Sequence, residues 1–239
     1  LLRKPAVPLE TYNDLDGEAV NYFRVIRDHI EELARLIRYT PWAREEYEAC
    51  RERDPDADPV ERARRFWVLT AMGINGGSSG NHPGMRFTTK SPPKAAGVLN
   101  REALIQNLYH VADRLRTVQM ENRDALEVIE VYGMHADSLT YFDPPYLPET
   151  REYSDVYHVE ADPALHINAA QLLHKSQGFA VVSGYASDLY RELYEEHGWK
   201  RVDKESATNM GGKRVESLWL NPATVKALTL PVQGELFNP

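Results

Sequence analysis

A single cysteine, Cys50, leaves no internal disulfide framework to build, and such thiol poverty fits a reducing cytoplasm. Long apolar runs are missing as well. None approaches the roughly eighteen residues that span a bilayer, and the opening "LLRKPAVPLE" is not the pattern of a secretory leader. Overall positive charge is also lacking: the net charge of −8 argues against a general nucleic-acid coat. Internal repeats are absent. The histidines offer no obvious metal site, since His166 and His174 are two helical turns apart and cannot share one ion directly. No metal is expected.

What is present is uneven. Residues 62–116 carry nine basic and two acidic side chains, whereas 1–61 carry nine against fifteen and 117–239 ten against nineteen. A basic central segment therefore sits between two acidic ones. Phosphate binding is local, so the segment matters more than the total.

The periodicity changes along the chain. "LETYN" is strand-like, and "LDGEAVNYFRVIRDHIEELARLIRY" places Val20, Phe23, Ile26, Ile30, Leu33 and Ile37 at helical spacing. Thr40-Pro41 and Asp58-Pro59 each set a capping residue before proline, predicting helices over about 41–53 and 59–72, with Glu61 closing a capping box on the second. "GINGGSSGNHPG" (73–84) reads as a loop and "MRFTTK" as a short strand. "NREALIQNLYHVADRLRTV" reads as a helix capped by Asn100. Beyond it, "VQMEN", "LTYF", "FAVVSG" and "WKRVDK" alternate with helical stretches, the layout of a mainly parallel, doubly wound sheet. "KRVESLWLNP" predicts a last strand antiparallel to its neighbour. The fold class is α/β, with a helical, basic region from about 40 to 117 inserted in it.

In an open α/β sheet, ligands gather at the carboxyl ends of the strands. Three aspartates fall at such ends: Asp14, Asp124 and Asp143. Asp14 or Asp124 alone is as readily a helix cap. Asp143 differs, because it leads Asp143-Pro144-Pro145-Tyr146. Neither proline has an N–H to donate, so the strand must stop, presenting a carboxylate, fixed carbonyls and a ring. Methylating an exocyclic amine asks for such parts. The amine lone pair is delocalised into its ring; a carboxylate accepting one N–H and a carbonyl accepting the other localise it. The tyrosine ring stacks on a base that has left the duplex.

That tetrapeptide is similar to the signature of amino-methyltransferases that use S-adenosylmethionine, and the whole chain resembles the Dam-type (D12 class) DNA adenine-N6 methyltransferases of bacteria and phages. "YNDLDGEAVNYFRVI" resembles the segment after the family's second strand, with Asp14 at the ribose-binding position. "ENRDALEVI" resembles the adenine-pocket segment, where Asp124 approaches the cofactor's adenine. "VVSGY" and "RVESLWLNP" resemble later strands. The likeness covers essentially all 239 residues, strongest at 1–27 and 118–222. It implies a Rossmann-like class I methyltransferase sheet, with residues 1–39 and 118–230 catalytic, 40–117 a target-recognition insert and 231–239 a tail. It also implies S-adenosylmethionine as cofactor, with Asp14, Asp124 and Asp143 toward it, and Asp143, Pro144, Pro145 and Tyr146 catalytic. Double-stranded DNA would be the partner, contacted by Arg62, Arg64, Arg65, Asn75, Arg86 and Lys90. The chain departs from the family at two places. Ile74 and Ser79 stand where an aromatic and a base-reading arginine are expected, so recognition of GATC is not carried over. The family's glycine-bearing cofactor loop has no counterpart before Asp14; a fragment, an N-terminus that continues further, or a split enzyme with a complementing N-terminal segment on another chain would each explain it.

The tail "QGELF" resembles a Gln-x-x-Leu-Phe sliding-clamp peptide, with Gln233, Leu236 and Phe237 as anchors. Related tetrapeptides also serve cytosine-N4, RNA and protein-amide methyltransferases, and a non-catalytic DNA-binding fragment is a further alternative.

Overall fold

The structure, a computed structural model, describes residues 4–74, 84–85, 101–147, 162–207 and 213–229. It is a mixed α/β protein whose described residues divide into two compact units, 4–123 and 124–229.

The first unit is a helical body carrying a two-stranded ribbon. Strand β1 (Glu10–Asn13) pairs in parallel with β2 (Val118–Glu121), matching Glu10 to Val118 and Asn13 to Glu121. The ends of the two strands are tied by side chains. Asn13 Nδ2 donates to the Arg123 carbonyl and Asn13 Oδ1 accepts from the Arg123 N–H, both at 3.0 Å. Asn122 Nδ2 donates to the carbonyl of Asp14 at 2.7 Å. Helix α1 (Gly17–Asp28) starts where Asp16 accepts from the Glu18 N–H. The helix expected to run on to residue 39 breaks at His29, whose φ of −136° and ψ of 36° are not helical, and resumes as α2 (Ile30–Tyr39).

Thr40 does not cap the next helix. It ends α2, its hydroxyl donating to the Leu36 carbonyl at 2.8 Å, and α3 (Arg44–Ala49) begins only after Ala43. Helix α4 (Pro59–Met72) starts as expected: Asp58 accepts from the N–H groups of Val60 and Glu61, and Pro59 takes the first turn. Glu61, expected to close a capping box, turns its carboxylate instead to Arg64 and Arg65. Helix α5 (Arg101–Leu115) completes the body; Asn100 and residues 86–90 lie outside the described residues. Met85 forms an antiparallel bridge with Gly73.

The apolar faces of α1, α2, α4 and α5 meet in one core around Ile26, Leu33, Ile37, Tyr47, Trp67, Met72 and Ile105. Each such buried side chain contributes about 1.5–3 kcal/mol, which is what holds a body with so little sheet together.

The second unit is built on a four-stranded sheet of order β3-β4-β6-β5: β3 (Leu139–Phe142), β4 (Phe179–Gly184), β5 (Lys200–Ala207) and β6 (Lys213–Leu220). Strands β3 and β4 are parallel, Phe142 opposite Val182. Strand β6 is antiparallel to both β4 and β5, as the sequence pattern of the last strand predicted. Antiparallel pairing thus has a larger share here than a mainly parallel sheet would give. The reason is local, since only five residues join β5 to β6, too few for a parallel crossover.

Helices α6 (Ala125–Tyr132), α7 (Pro163–Lys175), α8 (Asp188–Leu193) and α9 (Pro222–Thr229) flank this sheet, with a 3-10 turn over Glu195–His197 ended by Gly198 at φ 79°. Helix α7 starts at an Asp162 cap followed by Pro163. The core is aromatic: Tyr190, Tyr194, Trp199 and Trp219 pack with Phe142, Leu173 and Val182. Gly184 matters to that packing, because a Cβ there would lie 2.9 Å from Tyr190 Cε1. Among the described residues, no helix is long and apolar enough to cross a membrane.

Candidate active site

Parallel pairing brings the carboxyl ends of β3 and β4 to the same edge of the sheet. Asp143-Pro144-Pro145-Tyr146 leaves β3 there, and Ser183, Gly184 and Tyr185 form and leave the end of β4. The Asp143 carboxylate is exposed, while Pro144 beneath it is buried. Ser183, only 5% exposed, donates its hydroxyl to Asp143 Oδ1 at 2.6 Å and lies 3.3 Å from the Phe142 carbonyl. The shorter distance is that of a charge-assisted bond. Tyr146 is half-buried, its ring meeting that of Tyr185 edge-on at 4.8 Å between centroids and 72° between planes. Leu147, 3% exposed, anchors the chain after the tetrapeptide.

Below this edge, Tyr190 passes under Gly184, and its hydroxyl is 3.0 Å from Nδ1 of the buried His166. Burial pushes the Tyr190 phenol well above its ordinary value, with smaller contributions from Tyr194, Tyr146 and Asp143. It is a neutral phenol supporting the edge from within. His174 accepts from the Trp199 indole at Nδ1 and bonds the Leu193 carbonyl through Nε2, and burial lowers its pKa.

The other sequence-predicted residues stand on other elements. Asp124 opens α6, accepting from the Leu126 N–H at 2.7 Å. Asp14 belongs to the first unit and follows β1. Its Oδ2 accepts from the Tyr12 hydroxyl at 2.8 Å and its Oδ1 from the Asp16 N–H at 2.9 Å. Two carboxylate oxygens offer about four acceptor positions, so beside these two bonds the Asp14 carboxylate has acceptor capacity for two further donors.

The arginines of α4 are engaged within the protein. Arg62 is paired with Glu18 at 2.5 Å, Arg64 with Glu46 at 2.5 Å and Glu61 at 2.7 Å, and Arg65 with Glu61 at 3.0 Å. The Arg64 guanidinium holds the Glu61 carboxyl below its ordinary range. Asn75, Arg86 and Lys90, and the tail residues Gln233, Leu236 and Phe237, lie outside the described residues.

Sequence reading did not single out Ser183 or Tyr185. The signal was available: "FAVVSGY" is a second buried strand ending on polar and aromatic residues, like "LTYFDPPY".

Comparison with known proteins places the chain among DNA methyltransferases. Residues 4–208 match the family model for D12 class N6 adenine-specific DNA methyltransferases. The type II methyltransferase M1.LlaDCHI of Lactococcus lactis subsp. cremoris is 25% identical, over 86% of this chain and 74% of its own. The type II methyltransferase M.MjaIII of Methanocaldococcus jannaschii is 24% identical, over 92% of this chain and 81% of its own.

Proposed function

The chain belongs to the D12 class N6 adenine-specific DNA methyltransferase family, and from that membership we propose that it methylates N6 of an adenine turned out of duplex DNA. The observation that carries the proposal is the exposed Asp143 carboxylate, fixed at one oxygen by Ser183 and followed by a tyrosine ring at the same strand end.

Asp143 accepts one N–H of the target amine and the Pro144 carbonyl accepts the other. Together they draw the N6 lone pair out of the ring and aim it. The prolines keep the second acceptor on a rigid segment. Tyr146 stacks on the base. S-adenosylmethionine, when bound, supplies an electrophilic methyl group. Asp14 would hold its ribose hydroxyls and Asp124 would lie toward its adenine, in the manner of a Rossmann-like class I methyltransferase. Positioning and electrostatic preorganisation are the contributions asked of the protein.

Duplex DNA is read by the 40–117 region, with Asn75, Arg86 and Lys90 as its contacts. Arg62 and Arg65 reach phosphates only by exchanging their present carboxylate partners. A sliding clamp is the further partner that Gln233, Leu236 and Phe237 would engage, and a tail peptide that fails to bind purified clamp removes it. The work belongs in the cytoplasm, where the DNA is.

Incorporation of tritiated methyl groups into duplex DNA, followed by nucleoside analysis, tests the proposal. N6-methyladenine is the expected product; N4-methylcytosine, or label in RNA or protein alone, would replace it with another amino-methyltransferase.

A further inference from the structure

The end of β4 holds the two reactive parts of the β3 end, one side chain for each. We propose that Ser183 and Tyr185 are positioning residues for methyl transfer, Ser183 fixing the Asp143 carboxylate and Tyr185 fixing the Tyr146 ring; this rests on the methyltransferase reading above.

A carboxylate exposed at a strand end turns freely about its last bond, presenting either oxygen at a range of angles. Ser183 removes that freedom. It is buried on a strand flanked by β3 and β6, so its hydroxyl is itself fixed, and it donates to Oδ1 at 2.6 Å. The amine can then be received at Oδ2 in one orientation. Tyr185 stands three residues beyond Val182, the register partner of Phe142, and meets Tyr146 edge-on, which holds that ring at one tilt. Gly184 between them leaves room for the Tyr190 ring, 2.9 Å from where a Cβ would stand. Successive strand residues point to opposite faces, so the Ser183 side chain lies on the face opposite the one where a side chain at Gly184 would meet Tyr190 and Trp219.

A residue that only orients a reacting group alters the rate of transfer and leaves substrate affinity in place. In the full-length protein, Ser183→Ala should lower kcat about tenfold, the worth of one hydrogen bond to a charged group, with KM for DNA and the melting temperature unchanged. Ser183→Thr, which keeps the hydroxyl, should restore most of the rate. Tyr185→Ala should lower kcat about fivefold, and Tyr185→Phe, which keeps the ring, should not. A wild-type kcat in Ser183→Ala and Tyr185→Ala overturns the inference. So does a loss that follows the melting temperature or KM, since the two residues would then be structural. Failure of the underlying reading looks different: the unaltered protein would transfer no methyl group to DNA, before any variant is compared.

Discussion

At the end of β3 a carboxylate stands exposed with one oxygen bound by a serine; on α4 three arginines lie half-buried against Glu18, Glu46 and Glu61. Both regions carry conspicuous charge, and they use it in opposite ways. Asp143 keeps an oxygen turned away from its protein partner, the condition for a group that must meet a substrate. The α4 guanidinium groups are matched by carboxylates of their own unit, so their charge is largely cancelled where it stands. The difference teaches that charge count alone does not locate a binding surface. What matters is whether the fold supplies a counter-charge within reach.

Three expectations sharpen the contrast, the strongest first. Tyr146→Ala should cost about tenfold to a hundredfold in kcat/KM, since stacking on one base is worth about 1–3 kcal/mol, with the urea midpoint unmoved. Arg64→Ala should do the reverse: it strands Glu46, leaves Glu61 with Arg65 alone, and should cost about 2 kcal/mol of stability by urea titration, with methyl transfer per folded molecule preserved. The α4 pairing also predicts acid sensitivity. The folded-state pKa of Glu61 is lowered by Arg64 first and then Arg65, against the opposing effect of its burial. Its contribution is therefore complete above the unfolded carboxylate value of about 4.3 and is lost as pH falls through the lower folded value. Urea midpoints measured from pH 7 to pH 3 should be level and then fall, and Arg64→Ala should flatten the fall.

The least perturbing probe is Cys50. Burial pushes its thiol up to about 11, and it is 3% exposed at the edge of the helical core. Alkylation at pH 8 should be slow in the folded protein and fast in urea; equally fast labelling in both would show that the α3–α4 region opens readily.

Much of this was legible in the sequence where a backbone rule dictates the geometry. Asp58-Pro59 starts α4, Asp162-Pro163 starts α7, and Pro144-Pro145 ends β3, because proline's ring and missing N–H leave few alternatives. The four later strand-like runs were also found in place. Side-chain choices were less legible. Thr40 had two backbone partners available and took the helix behind it. Glu61 had a cap to close and two arginines one turn away, and the charged partners won. The break at His29 was hidden because Ile26, Ile30, Leu33 and Ile37 keep helical spacing straight across it. At the site, Asp143 and Tyr146 were readable as a contiguous motif, whereas Ser183 and Tyr185 are brought to them only by the pairing of β3 with β4.

The central claim is that the end of β3 is where transfer occurs, and Asp143→Ala addresses it most directly. Single-turnover methylation of duplex DNA by this variant should fall by about a thousandfold, at or beyond the loss seen when one preorganised polar group is removed, while S-adenosylmethionine and DNA still bind with unaltered affinity. Turnover within a few-fold of the unaltered protein would contradict the role of Asp143 and move the site elsewhere.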